Sequence, residues 1–304
     1  GSGDMVIIDE ASMLDLPTLW RILKVLGEGN LVLVGDPAQL PPIGFGLTFH
    51  ILCATEHVPK VILDRVMRQK AESGIPAVAE SVRCGLVPQM TAYAGLSPGV
   101  SFIECGSDEA LDVVHAVGQR LRADGSQRGE TQIIAPVKSG ACGINAINRH
   151  FHTLRHQSGL GEFFPGRKDI IGGDPVIWTQ NDWDRELMNG SMGRLHSVID
   201  NIGHATLDGK SFELTKADAD YLELAYAISV HKAQGSQWPK VIIPVFRSRL
   251  LDRTLLYTAI TRATDQVILI GDRAAFEDAI RKPPISLRRS VGLSMRLDAH
   301  CTRE

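Results

Sequence analysis

The sequence predicts an α/β protein built on parallel sheets, with a small β-rich insertion in its second half. Three observations carry this expectation. Short apolar runs alternate with stretches of helical periodicity, the texture of strands buried on both faces beneath covering helices. Between residues 172 and 221 the runs shorten and turn residues crowd in, which reads as a small β-barrel. The chain is 304 residues long, 44% hydrophobic and 22% charged, enough for two domains with ordinary cores.

Taken in order, Met5-Val6-Ile7-Ile8 reads as a strand ending in Asp9-Glu10. Asp15 is a natural N-cap with Pro17 just inside the helix, and Leu16, Leu19, Trp20, Leu23 and Leu26 follow at helical spacing. Gly27-Glu28-Gly29-Asn30 stops that helix. Leu31-Val32-Leu33-Val34 is a second strand, running into Gly35-Asp36-Pro37-Ala38-Gln39-Leu40-Pro41-Pro42. Val61-Ile62-Leu63 reads as a third. A second set follows: strand 100–105, helix 108–122, strand 131–135, then a helix with Ile144, Ile147, Phe151 and Leu154 on one face. After the insertion the pattern resumes at 222–229, with strand 241–245, helix 253–263 and strand 266–271. The boundaries expected are 1–66 for the end of a first α/β domain, 67–171 with 222–304 for a second, and 172–221 for the insertion.

Two polar turns at the ends of neighbouring strands suggest phosphate chemistry, because ligands of open parallel sheets collect at that edge. In such a pair Asp9 suits a Mg²⁺ ion and Glu10 suits taking a proton from water. A phosphate loop needs Gly, four residues, then Gly-Lys-Ser/Thr. The one Gly-Lys-Ser, Gly209-Lys210-Ser211, lacks the preceding glycine at that spacing and sits in a predicted Asp208-Gly209 hairpin, so it is a decoy. The start at Gly1-Ser2-Gly3, without Met, suits a fragment or an expression scar, and a missing N-terminal segment with a phosphate loop is expected as a partner.

Arg68 and Arg262 are forked cations of the kind that stabilise a transferring phosphoryl group, against a plainer reading as surface ion-pair residues. Ser229-Val230-His231-Lys232-Ala233-Gln234-Gly235-Ser236-Gln237-Trp238 is rich in small hydrogen-bonding groups between two apolar strands, a phosphate-contacting loop or an ordinary connector. Arg288, Arg289, Arg296 and Arg303 in the tail read as solvated surface, with a nucleic-acid contact as the alternative. Five scattered cysteines show no metal-ligand spacing and read as reduced thiols. No signal peptide or membrane-length apolar run is visible, so a cytoplasmic protein without membrane association is expected. The net charge of −3 argues against wholesale nucleic-acid coating and is compatible with a local basic groove.

Residues 6–15, 34–44, 63–69, 227–238 and 255–263 resemble, in order, five successive motifs of the superfamily 1 DNA helicases, nearest the RecD-like branch. Residues 134–148 resemble a segment of that branch's second RecA-like domain, and 173–193 the start of its SH3-like insertion. The resemblance implies RecA-like parallel sheets, ATP and Mg²⁺ as cofactors, and 5′-to-3′ movement on single-stranded DNA. It implies that Asp9 holds Mg²⁺, Glu10 activates water, Gln39 senses the γ-phosphate, and Arg68 and Arg262 reach it from the second domain. Asp36, Gln234, Gly235 and Gln237 fall at nucleotide-side positions, Ser229, His231 and Lys232 at DNA-side ones. Gln237 departs from the family's usual Glu, keeping the hydrogen bond without the charge. Nuclease or repair-complex subunits are the further partners it implies. Two other readings stand beside it, a non-hydrolysing DNA- or partner-binding module and the helicase portion of a conjugative relaxase.

Overall fold

A computed structural model describes residues 4–63, 73–289 and 291–301. The first unit is a single βαβ turn. Strand β1 (Met5–Ile8) pairs in parallel with β2 (Asn30–Leu33), and α1 (Leu16–Leu26) connects them. The Asp15 carboxylate accepts the Thr18 N–H at 2.8 Å, and Gly27 ends the helix at φ +61°. Helix α2 (Thr48–Ala54) follows. Met5 and Ile7 are 61% and 64% exposed, because only two strands form this sheet among the described residues. Val61, Ile62 and Leu63 form no strand, a correction to the third strand expected there. Among the described residues they have no strand to pair with, and they stand more than four-fifths exposed.

The second unit holds helix α3 (Ile75–Arg83), strands β3 (Thr91–Ala92) and β4 (Gly99–Glu104), α4 (Ala110–Ala123), β5 (Thr131–Ala135) and α5 (Ile144–Gln157). A small sheet comes next: β6 (Pro175–Trp178), β7 (Met192–Ile199), β8 (Ile202–Leu207), β9 (Lys210–Leu214) and β10 (Leu222–Leu224). The chain then returns through β11 (Ala227–Ser229), β12 (Trp238–Val245), α6 (Arg253–Ile260), β13 (Ala263–Gly271), α7 (Arg273–Arg281) and α8 (Leu293–Cys301). Six of these strands form one wholly parallel sheet in the order β11-β5-β12-β13-β4-β3. Alternate residues of β12 face opposite layers. Val241, Ile243 and Val245 pack with α3, α6 and α7, while Ile242 packs with α4 and α5.

This winding has a functional consequence. Neighbouring strands β5 and β12 send their following helices to opposite faces, so a crevice opens beyond their C-terminal ends.

The insertion is a five-stranded antiparallel sheet, order β10-β6-β7-β8-β9, whose two edge strands do not pair with each other. Strand β10 belongs to this sheet rather than to the resuming α/β pattern, because Leu222 buries into the insertion's own core. That core also takes in Phe164 and Ile170, ahead of residue 172. Asp208 and Gly209 form the β8–β9 turn with φ of +47° and +78°, the left-handed pair that a two-residue hairpin requires. Lys210 therefore opens a strand, and Gly209-Lys210-Ser211 is no phosphate loop.

Candidate functional site

The two polar turns meet at one sheet edge. Beyond β1 and β2 the Val34 N–H donates to the Ile8 carbonyl and the Ala11 N–H to the Val34 carbonyl, both at 2.8 Å. Gly35 permits the approach, since a Cβ there would stand 3.1 Å from the Ala11 and Ser12 nitrogens. Asp9 is exposed, with one carboxylate oxygen accepting the Glu10 N–H at 2.8 Å. Glu10 holds φ +51° and ψ +37°, a left-handed conformation uncommon for a residue with a side chain and found where neighbours over-determine it.

The second unit closes on this edge through α6 and the turn after it. Asp252 caps α6 by accepting the Leu255 N–H at 2.9 Å, which fixes the helix's register. The helix ends at Ile260, so Arg262 lies in the turn before β13 rather than on the helix as expected. The Thr261 hydroxyl bonds back to the carbonyls of Tyr257 and Thr258, closing the last turn. Arg262 is fully buried, which rules out the surface ion-pair reading. Its Nε donates to the Thr258 carbonyl at 3.1 Å and its Nη2 to Gln39 Oε1 at 3.2 Å, across the two units. Two further bonds cross the same seam: Leu40 N–H to Thr258 Oγ1 at 3.0 Å, and Tyr257 OH to Asp36 Oδ2 at 2.6 Å. Burial and the Asp36 carboxylate push the Tyr257 phenol well above its ordinary range, so it stays a donor. The other Asp36 oxygen accepts the Ala38 N–H at 2.8 Å, so Asp36, expected beside the nucleotide, acts here as a clasp between the units. Tyr257 and Thr258 lie in the run 255–263 that resembles a helicase motif, but nothing in the sequence signals their partners in the first unit. Arg68 lies outside the described residues.

The loop between β11 and β12 has two ends with different surroundings. Ser229, His231 and Lys232 line a cavity of about 1060 Å³ that opens at the β5/β12 crevice. Ser229 Oγ accepts the Lys232 N–H at 3.1 Å, and the Lys232 ammonium pairs with Glu223 at 2.9 Å. The other end turns toward Arg262, where the Trp238 N–H donates to the Arg262 carbonyl at 3.0 Å. Between them Gly235 takes φ +77° in open space, so backbone conformation alone calls for glycine. Gly235 and Gln237 are exposed. Gln234 has both side-chain polar atoms buried with no hydrogen-bond partner, at a typical cost of about 1–3 kcal/mol for each such group.

Where the insertion joins α5, Asp174 is fully buried. It lies 2.9 Å from His152 Nδ1 and accepts the Ile171 N–H at 2.9 Å and the Tyr226 hydroxyl at 2.6 Å. This hub fixes the small sheet against the element that leads into the cavity loop.

Burial holds His231 below the usual imidazole range, with the Arg289 charge adding to it. Burial also depresses His50 and His115. The unfolded chain therefore takes up protons first as pH falls below about 6.5, the ordinary histidine value. Stability is full above that value and declines as pH drops toward the lower folded values. The urea midpoint should be lower at about pH 5.5 than at about pH 7.5; an equal or higher midpoint would show that these rings are not held neutral.

Comparison with known proteins places this geometry. The UvrD-like helicase C-terminal domain family matches residues 224–270, and the AAA domain family matches residues 1–97. The ATP-dependent RecD2 DNA helicase of Deinococcus radiodurans is 30% identical across 98% of this chain and 40% of its own length. The RecBCD enzyme subunit RecD of Mycolicibacterium smegmatis is 30% identical across 97% of this chain and 54% of its own. A Bacteroides Pif1 helicase, solved in complex with ADP-AlF3 and ssDNA, superposes with a TM-score of 0.57 over 99% of this chain and 76% of that one. At 19% identity that likeness is one of fold. The mixed α/β architecture with its parallel sheets is that of the RecA-like helicase fold. These relatives and family models support the RecD-like superfamily 1 helicase family for this chain. The chain spans about half or less of the length of these curated relatives.

Proposed function

We propose that this chain is the carboxylate- and arginine-bearing part of an ATP-driven motor that moves along single-stranded DNA. The single observation that carries the reading is the fully buried Arg262 held against Gln39 across two RecA-like units. A buried arginine at such a seam is suited to charge that develops between the units, and ATP is the substrate that supplies it. Gln234, with both amide ends unpaired, fits a site completed by a polar ligand.

Asp9 is the residue that would hold Mg²⁺. An ion of this kind is commonly held by one or two carboxylates together with substrate phosphates, and it supplies charge neutralisation there. Glu10, held beside Asp9 by its left-handed backbone, takes the proton of the attacking water. Gln39 registers the terminal phosphate and passes its state to Arg262. Gln234, Gly235 and Gln237 carry that state along the loop to Ser229, His231 and Lys232, which meet the DNA backbone. Arg68 joins Arg262 in this reading through its motif alone. The phosphate loop would come from a segment outside this sequence, and the exposed apolar faces of β1 and β2 favour a further covering layer. The 5′-to-3′ direction, an SH3-like class for the small sheet, cytoplasmic residence and nuclease or repair-complex partners enter from the family resemblance. None of the described helices is long and apolar enough to cross a membrane.

A labelled single-stranded oligonucleotide followed by fluorescence anisotropy tests the DNA arm. Weak binding that drops in His231→Ala is expected, with no preference for duplex, since nothing among the described residues resembles a major-groove recognition helix. Equal binding by mutant and parent would leave the loop a connector.

A further inference from the structure

The tail beyond α7 recrosses the seam. After a short helical turn (Ile285–Arg288) it reaches the first unit, where α8 lies against α2. On the way Arg289, an exposed residue, donates from Nη1 to the Pro42 carbonyl at 2.7 Å. Arg289 also lines the cavity shared by Ser229 and His231, and its charge is felt at the His231 ring. A strap from the second unit thus places a guanidinium at the mouth of the cavity, outside every helicase motif recognised in the sequence.

The cavity's charges show what it takes. Five lysines and arginines line it against three carboxylates. Arg167 is paired with Asp169 at 2.7 Å and Lys232 with Glu223 at 2.9 Å. Among the described residues Lys138, Arg149 and Arg289 form no ion pair, and the third carboxylate, Asp252, caps α6, so the lining keeps a surplus of two positive charges. At about 1060 Å³ that space is at the upper end of the roughly 300–1,000 Å³ usual for small-molecule sites, and it is open to solvent along the β5/β12 crevice. An extended polyanion fits such a wall better than a compact ligand. A neutral carbonyl is a weaker partner for guanidinium than a phosphate oxygen, so Arg289 gains by exchanging Pro42 for phosphate.

We infer that Arg289 is a backbone-phosphate contact for single-stranded nucleic acid in this cavity, carried to it by the C-terminal strap. The inference rests on the DNA-motor reading and adds a binding residue from outside its motifs.

The test is anisotropy with a fluorescein-labelled oligo-dT, titrated at several salt concentrations, for the parent chain, Arg289→Ala, Arg289→Lys and His231→Ala. Losing one phosphate contact on a single strand should reduce the log–log salt slope by about 0.7, equivalent to about fivefold weaker binding near 0.1 M salt. Arg289→Ala should show both changes at an unchanged melting temperature, and Arg289→Lys should keep the parent's slope. If Arg289→Ala binds with the parent's affinity and slope while His231→Ala weakens binding, the inference is overturned and the DNA reading stands. A parent chain that binds no oligonucleotide overturns both.

Discussion

Arg262→Ala should lower ATP turnover by about 10³- to 10⁵-fold in a protein that joins this chain to a phosphate-loop segment, the range that removal of an arginine finger produces. Its side chain is fully buried, forked between Thr258 and Gln39, and has no route to a surface role. The substitution also strips Gln39 Oε1 of its donor, at about 1–3 kcal/mol for a group left unsatisfied, while the Thr258 carbonyl keeps the Thr261 hydroxyl. A thermal melt must therefore accompany the kinetics. Arg262→Lys separates the two effects by keeping the charge while losing the fork, and it should retain more turnover than alanine. Near-normal turnover in a folded Arg262→Ala protein would remove this residue from the chemistry.

The second large effect concerns the chain by itself, which should release no phosphate from ATP above background, with or without single-stranded DNA. Positioning supplies most of the catalysis in phosphoryl transfer, and a loop of backbone N–H groups with its lysine does the positioning. No segment of this sequence has that spacing, and its one Gly-Lys-Ser is a hairpin between β8 and β9. Asp9, Glu10 and Arg262 then face a substrate that nothing grips. Release that disappears in Glu10→Gln would reveal a phosphate site of another kind in this chain.

How far the sequence foretold the molecule depends on where each residue finds its partner. Strands 131–135 and 241–245 were legible because they are buried on both faces, so their composition alone marks them. Asp15 and the Asp208-Gly209 turn were legible because their chemistry is local. Val61, Ile62 and Leu63 have strand composition without strand neighbours, and composition cannot report a missing neighbour. The clasp between Asp36 and Tyr257 joins residues 221 apart, and the Gln39–Arg262 bond residues 223 apart. Their motifs were readable, but their pairing was not. Asp174 stands in a Gly-Gly-Asp-Pro run of turn composition, yet it is buried with three hydrogen-bond partners. Arg289 looked like one of several tail arginines until the strap's path set it beside His231.

Steady-state phosphate release by a protein joining this chain to a phosphate-loop segment, measured with and without single-stranded DNA, decides most directly whether these turns and arginines form a motor. DNA-stimulated turnover that Glu10→Gln abolishes, with nucleotide still bound, is the expected result. Turnover indifferent to Glu10→Gln, or an absence of any DNA stimulation in a folded protein, would contradict it.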